Sequence, residues 1–203
     1  MTAASYAWMV PGLLASGGLA ARWTAMECRA RRLAAEVSVL RHRARDAVVD
    51  LPTRAEWEAA ACTRLSAAPR QTALVLMDLD EFKAINDTYG HQAGDRALQE
   101  FATRLTHCFH RSQATMTRLG GDEFGILADA DRTEKALSAM RRAMREPCSL
   151  GDDVAVRLRY STGVTWCAEL NDLRLSHALE CADKQLYRNK RATKRAAATA
   201  LFD

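Results

Sequence analysis

Residues 71–80 read QTALVLMDLD. Ala73 to Met77 are apolar without a break. A short continuous run of this kind, rich in branched residues, describes a strand buried on both faces. Such a strand needs cover from both sides, which points to a sheet layered with helices. It ends in Asp78-Leu79-Asp80. The C-terminal edge of a buried strand is where layered α/β folds place their ligands, so Asp78 is a candidate site residue.

A second stretch carries more acids. Residues 118–127 read RLGGDEFGIL. Gly120-Gly121 separates two β-like runs, 115–119 and 123–128, and the pattern predicts a tight hairpin around the two glycines. Asp122 and Glu123 follow at once. Acids at a hairpin tip are easily solvated, so an exposed turn is the plain reading. If the hairpin strands neighbour the strand ending at Asp78, however, three carboxylates converge. Like charges brought together repel unless a cation sits between them. Hard oxygen ligands select Mg²⁺ or Mn²⁺, and Mg²⁺ is commonly held by one or two carboxylates plus substrate phosphates. The pattern therefore points to metal-assisted phosphoryl chemistry. Lys83 and Lys190 are candidates for phosphate oxygens. No GxxxxGK[ST] loop is present, which excludes a P-loop enzyme.

The remaining segments read in order. Residues 54–65 predict a helix carrying Trp57, and a short helix follows the strand to about Asp87. Residues 88–95, TYGHQAGD, read as a loop, and a long helix runs from about Gln92 to His110. Residues 132–145 are helical, 154–166 alternate as a strand, and 173–190 form a last helix before a basic, alanine-rich tail. Strands mixed with helices and joined by a hairpin predict an α/β (α+β) sandwich with an antiparallel component.

The N-terminus divides in two. Residues 2–21 carry no charge, which is long enough to span a bilayer. Pro11, Gly12, Gly17 and Gly18 interrupt the run, so a membrane anchor and an apolar N-terminal helix both remain open. The arginines from Arg22 to Arg32 would place the following chain on the cytoplasmic side. From Met26, apolar residues at 30, 33, 37, 40, 44 and 47 alternate by four and three. Three heptads of this kind predict a helical stalk over 22–47, as a parallel coiled-coil dimer or as one packed amphipathic helix.

Composition narrows the partners. A net charge of +4 on 203 residues is too mild for a nucleic-acid protein. Six scattered cysteines without a CxxC pair fit buried thiols in a reducing cytoplasm, not a disulfide framework or a zinc site.

Taken together, the motifs resemble a known family. Residues 78–95, DLDEFKAINDTYGHQAGD, then RLGGDEF at 118–124, STGV at 161–164 and ADKQLY at 182–187 with Lys190 are similar to a GGDEF-domain diguanylate cyclase. The resemblance covers about residues 46–195, with the domain placed at 48–195 and a tail at 196–203. It implies a polymerase-palm or adenylyl-cyclase-like fold, a mainly antiparallel sheet flanked by helices. It also implies condensation of two GTP into cyclic di-GMP with release of two pyrophosphates, by a homodimer, in the cytoplasm or at the cytoplasmic face of the membrane. By the same resemblance Asp78 and the Leu79 carbonyl bind the metal with Asp122. Glu123 is a second metal ligand or the general base for the 3′-hydroxyl. Asn86 and Asp95 read the guanine edge, and Lys83, Lys190 and Lys194 bind phosphate together with backbone N–H groups around Phe82. Gly120 and Gly121 let the nucleotide approach the backbone. A catalytically silent domain that binds GTP or cyclic di-GMP is the other reading.

Three departures stand out. The usual D-x-L-T-G-L-P-N-R junction is Asp46-Ala-Val-Val-Asp-Leu-Pro-Thr-Arg54 here. Lys194 stands where arginine is common, keeping the charge but losing the bidentate fork. The R-x-x-D of the family's inhibitory product site is Arg111-Ser-Gln-Ala114, so its aspartate is missing.

Overall fold

The computed structural model describes residues 45–151 and 154–199. Five helices and six strands follow one another: α1 (Arg54–Ala67), β1 (Thr72–Leu79), α2 (Phe82–Tyr89), α3 (His91–Phe109), β2 (Thr115–Gly120), β3 (Glu123–Asp129), α4 (Ala130–Ala143), β4 (Cys148–Gly151), β5 (Val154–Val156), β6 (Tyr160–Trp166) and α5 (Leu175–Thr199). The main sheet has the order β2-β3-β1-β6, and β1 pairs antiparallel with both neighbours. The expected antiparallel sheet flanked by helices is therefore present.

β1 is buried along its whole length because helices cover both sheet faces. Side chains alternate between faces along a strand. Val75, Met77 and Leu79 join Phe124 and Ile126 against Leu98, Phe101 and Leu105 of α3 and Leu137 and Met140 of α4. Leu74 and Leu76 join Leu127 against Trp57, Ala61 and Leu65 of α1 and Ala178, Ala182 and Leu186 of α5. The same alternation puts Asp78 on the α1/α5 face.

The α5 helix lies close to that face at Gly163 of β6. A Cβ there would come 2.0 Å from the Ala182 carbonyl oxygen and 2.6 Å from the Leu186 nitrogen. Thr165 Oγ1 donates to the Ala178 carbonyl at 3.1 Å, and Asn189 Nδ2 donates to the Thr162 carbonyl at 2.7 Å. These contacts fix the azimuth of α5, and with it the direction of Lys190.

Several expectations are corrected. Residues 88–95 are mostly helical. Gly90, with φ of +85°, ends α2 by donating to the Asn86 carbonyl and starts α3 by accepting from the Ala93 and Gly94 amides. One glycine in the left-handed region thus serves as stop and start. The hairpin turn is Gly121-Asp122, since Gly120 pairs with Glu123. Residues 154–166 are not one strand. Arg157 to Arg159 divide β5 from β6, and β5 pairs instead with β4, which pattern alone had not shown. Leu150 of β4 is buried, and its carbonyl accepts from Arg96 of α3 at 2.7 Å, so tertiary contact creates this short strand. The basic tail is helical to Thr199, consistent with the helix propensity of alanine and arginine.

The stalk helix expected over 22–47 does not extend through Ala47. Residues 47–49 form a turn in which Asp46 Oδ1 accepts from the Val48 and Val49 amides at 2.9 and 3.0 Å. That is an Asx-type turn. The rest of the stalk and the apolar run at 2–21 lie outside the described residues. Among the described residues, no helix is long and apolar enough to cross a membrane.

Candidate active site

Register brings the acids together. Asp78 lies directly opposite Glu123 in the β1–β3 ladder, so both side chains stand on the α1/α5 face. Asp122 sits in the turn beside them, and its carbonyl accepts from the Leu79 amide at 3.2 Å. This bond ties the hairpin tip to the end of β1. Arg118 braces the same turn: its Nε donates to the Gly121 carbonyl at 2.7 Å and its Nη1 lies 3.5 Å from Asp46. Sequence reading had not singled out Arg118. Its position two residues before the glycines was the available signal.

A cation arrives from α5. Lys190 Nζ is 2.6 Å from Asp78 Oδ1. It approaches out of line, and no donor among the described residues meets this buried oxygen in hydrogen-bond geometry. Burial pushes the Asp78 carboxyl above the usual carboxylate range; the close Lys190 ammonium opposes that rise, and Asp122 adds to it. Glu123 is raised as well, first by burial and then by the charges of Asp78 and Asp122. Three acids crowd one edge with one ammonium between them and the helix. Among the described residues no three acid, His or Cys side chains are gathered as a ready-made metal cage. The under-bonded Asp78 oxygen and the like-charge crowding nevertheless suit a hard divalent cation that takes its remaining oxygens from phosphate and water.

The second part of the site is the α2–α3 corner. Glu81, in the left-handed region at φ of +60°, opens α2, and Arg159 Nη2 holds its carboxylate at 2.5 Å. Asp80 Oδ1 accepts from Ser161 Oγ at 2.8 Å. Phe82 therefore begins a helix just past the acidic edge. Lys83 is exposed on its first turn. Asn86 is half-buried and faces Gly94 across the corner: a Cβ on Gly94 would fall 1.9 Å from Asn86 Oδ1 and 3.3 Å from the Phe82 ring. Asp95 follows on the exposed side of α3. Gly94 is a positioning residue that motif reading passed over. Its signal was a glycine within a helix, where glycine costs about 1 kcal/mol against alanine.

The two hairpin glycines differ. Gly121 has φ of +53°, so the turn itself favours glycine. Gly120 has no such requirement, and a Cβ at either position would meet nothing within 4 Å. Packing within the protein thus gives no reason for Gly120. The side chain of Lys194 lies outside the description, although the residue is on α5.

Comparison with known proteins agrees with this fold. The family model described as "Diguanylate cyclase, GGDEF domain" matches residues 43–196. An uncharacterized 19.3 kDa protein of Streptomyces ambofaciens is 42% identical over 151 residues, covering 74% of this chain and 80% of its own. The probable diguanylate cyclase DgcC of Escherichia coli K12 is 35% identical over 159 residues, or 73% of this chain and 41% of that protein. The chain thus spans less than half the length of that relative. The GGDEF domain of TpbB (YfiN) from Pseudomonas aeruginosa superposes with a TM-score of 0.67 at 29% identity, covering 73% of this chain and 89% of that one. With a matched family over three quarters of the sequence and the corresponding fold, the chain belongs to the GGDEF domain family of diguanylate cyclases.

Proposed function

We propose that this chain is an active diguanylate cyclase that condenses two GTP molecules into cyclic di-GMP and releases two pyrophosphates. The observation that carries the reading is the pairing of Asp78 with Glu123 on one sheet face, beside Asp122 and within reach of Lys190. Asp78, Asp122, Glu123 and the Leu79 carbonyl would hold Mg²⁺ or Mn²⁺. When bound, such an ion polarises phosphoryl oxygens and offsets charge in the transition state. Glu123, raised by burial and by two neighbouring acids, suits a group that accepts the proton of the 3′-hydroxyl. Lys190 and Lys83 neutralise phosphate oxygens, with Lys194 further along α5, and amides at the start of α2 around Phe82 donate to them. Asn86 and Asp95 present an amide and a carboxylate to the guanine edge. Gly120 and Gly121 leave room for the nucleotide against the hairpin.

Each domain, placed at 48–195, would hold one GTP. Ring closure then needs two sites face to face, as a C₂ homodimer supplies, with the heptads of residues 26–44 as its stalk. The rival reading, a silent nucleotide-binding domain, draws on the absence of a three-acid cage among the described residues. One assay separates them. Incubation of the protein with GTP and Mg²⁺ should yield cyclic di-GMP and pyrophosphate; tight GTP binding without product would establish the silent reading.

Product inhibition is expected to be weak. Arg111 borders a groove with Arg132, Lys135 and Arg142, and no carboxylate lines it. Phosphates would find cations there, but guanine N–H donors would lack the acceptor that Ala114 replaces. A hydrogen bond to a charged group is worth roughly 1.5–3 kcal/mol, or about a 10- to 150-fold loss. Calorimetry with cyclic di-GMP should therefore show no sub-micromolar binding. Tight binding that disappears in Arg111→Ala would contradict this, and Ala114→Asp should strengthen it.

A further inference from the structure

A second pocket, of about 340 Å³, lies at the free edge of β6, between the C-terminal end of α4 and the loop 157–159. Tyr160 and Thr162 line it from β6, opposite Leu79 and Met77 in the ladder. Strand alternation places the Tyr160 and Thr162 side chains on the α3/α4 face, and Asp80 and Thr193 of α5 close the pocket around the β6 edge, toward the face that carries Asp78 and Glu123. Its floor is apolar: Leu158 is 2% exposed, Met144 is 6% exposed, and Tyr160 is half-buried.

Its rim is made of arginines. Arg141 and Arg145 come from α4 and its end, and Arg157 and Arg159 from the loop. Arg159 is paired with Glu81. Among the described residues, the Arg141 side chain has the Ser138 hydroxyl, at 2.8 Å, as its hydrogen-bond partner. Arg145 and Arg157 have no bonded partner among the described residues. Among the described residues, the one acid lining the pocket is Asp80, which accepts from Ser161. After Asp80 and Glu81 are set against the four guanidinium groups, an excess of two positive charges faces one small cavity. Guanidinium groups around a concave site repel one another, and their fork geometry matches phosphate oxygens. An apolar floor beneath a cationic rim suits a ligand with an uncharged, flat portion and a phosphate group.

We propose that this pocket is a binding site for a phosphorylated small molecule of nucleotide size, its phosphates held by Arg145 and Arg157 and its uncharged part laid on Leu158, Met144 and Tyr160. No residue of the GGDEF motif takes part. The pocket borders the guanine-reading corner through Asp80 and Arg159, but the groups proposed to hold phosphate, Arg145 and Arg157, lie outside that corner and need no divalent metal.

Calorimetric titration of the full chain in EDTA, with ADP and with inorganic pyrophosphate, tests this. Both probes lack guanine, and chelation removes metal-dependent binding at the acidic edge. ADP is expected to bind, and Arg145→Glu/Arg157→Glu, both exposed substitutions, should weaken it at least about tenfold, with an unchanged melting temperature showing an intact fold. The Lys83→Ala/Lys190→Ala protein should bind ADP as well as the parent does. ADP tighter than pyrophosphate supports the apolar floor; equal binding overturns the role given to it and leaves the phosphate group alone as the ligand. Binding lost in the lysine variant but kept in the arginine variant overturns the site, as does a failure of both probes to bind at millimolar concentration. None of these readings depends on cyclase activity, so the pocket and the proposed function stand or fall separately.

Discussion

Asp122→Ala is expected to reduce cyclic di-GMP formation at least about a thousandfold while leaving the domain folded. Charge stabilisation by a bound divalent ion amounts to several kcal/mol, at 1.4 kcal/mol per tenfold in rate. Asp122 is not a core residue. It is half-exposed in a two-residue turn, and its link to β1 is made by the backbone carbonyl, which alanine keeps. Its side chain raises the proton affinity of both Asp78 and Glu123. Removing it should bring both carboxyls back toward their ordinary range and relieve repulsion at neutral pH. The variant should therefore melt at the same temperature as the parent or higher in chelator, and lose the thermal shift that Mg²⁺ gives. A variant that keeps its turnover would remove Asp122 from the metal site.

Burial, reinforced by the same crowding, sets a pH dependence. A carboxyl whose folded value is raised binds its proton more tightly in the native state. The linked stabilisation is present below the unfolded value and is lost as pH rises through the folded value. In chelator, thermal stability should therefore gain a contribution from Asp78 and Glu123 as pH falls from neutral through their elevated range. Asp122→Ala should flatten that part of the profile. An identical profile in both proteins would mean that the three acids are not coupled.

How far the sequence reveals this arrangement depends on the range of the forces involved. β1 was legible because five apolar residues ending in an acid admit few other placements. The acidic edge followed from hairpin logic, and the antiparallel neighbours of β1 bear that logic out. What escaped was set by contact across the fold. The strand β4 exists because α3 buries Leu150 and Arg96 caps its carbonyl. Residues 88–95, the end of α2 and the start of α3, looked like a loop because their polar residues face solvent, and one glycine at 90 did the work of a whole connection. Lys190 was a candidate for phosphate oxygens in the sequence, but its ion pair with Asp78 depends on how α5 seats over Gly163, which no local pattern encodes.

The second large effect concerns base choice. Asp95→Ala is expected to weaken GTP binding by roughly two orders of magnitude, and Asn86→Ala, which removes a neutral amide, by about tenfold, while both barely change the binding of ATP. A site built to hydrogen-bond a particular base loses about 1.5–3 kcal/mol for each bond to a charged group, and leaves the base's donors unpaired besides. The corner that holds these residues adds a sharper test. Gly94 lies against the Asn86 amide so closely that a Cβ would stand 1.9 Å from Oδ1. Gly94→Ala must therefore displace the Asn86 side chain or open the α2–α3 corner. Alanine is also the better helix former, so α3 itself should gain up to about 1 kcal/mol. The expected result is a protein that folds, keeps its metal response at Asp78 and Asp122, and loses discrimination for guanine. Calorimetry with GTP and ATP on Gly94→Ala reads this directly. Should the variant bind GTP like the parent, the amide of Asn86 is not the group that reads the base; an equal fall for both nucleotides would place Asn86 against the ribose or phosphates instead.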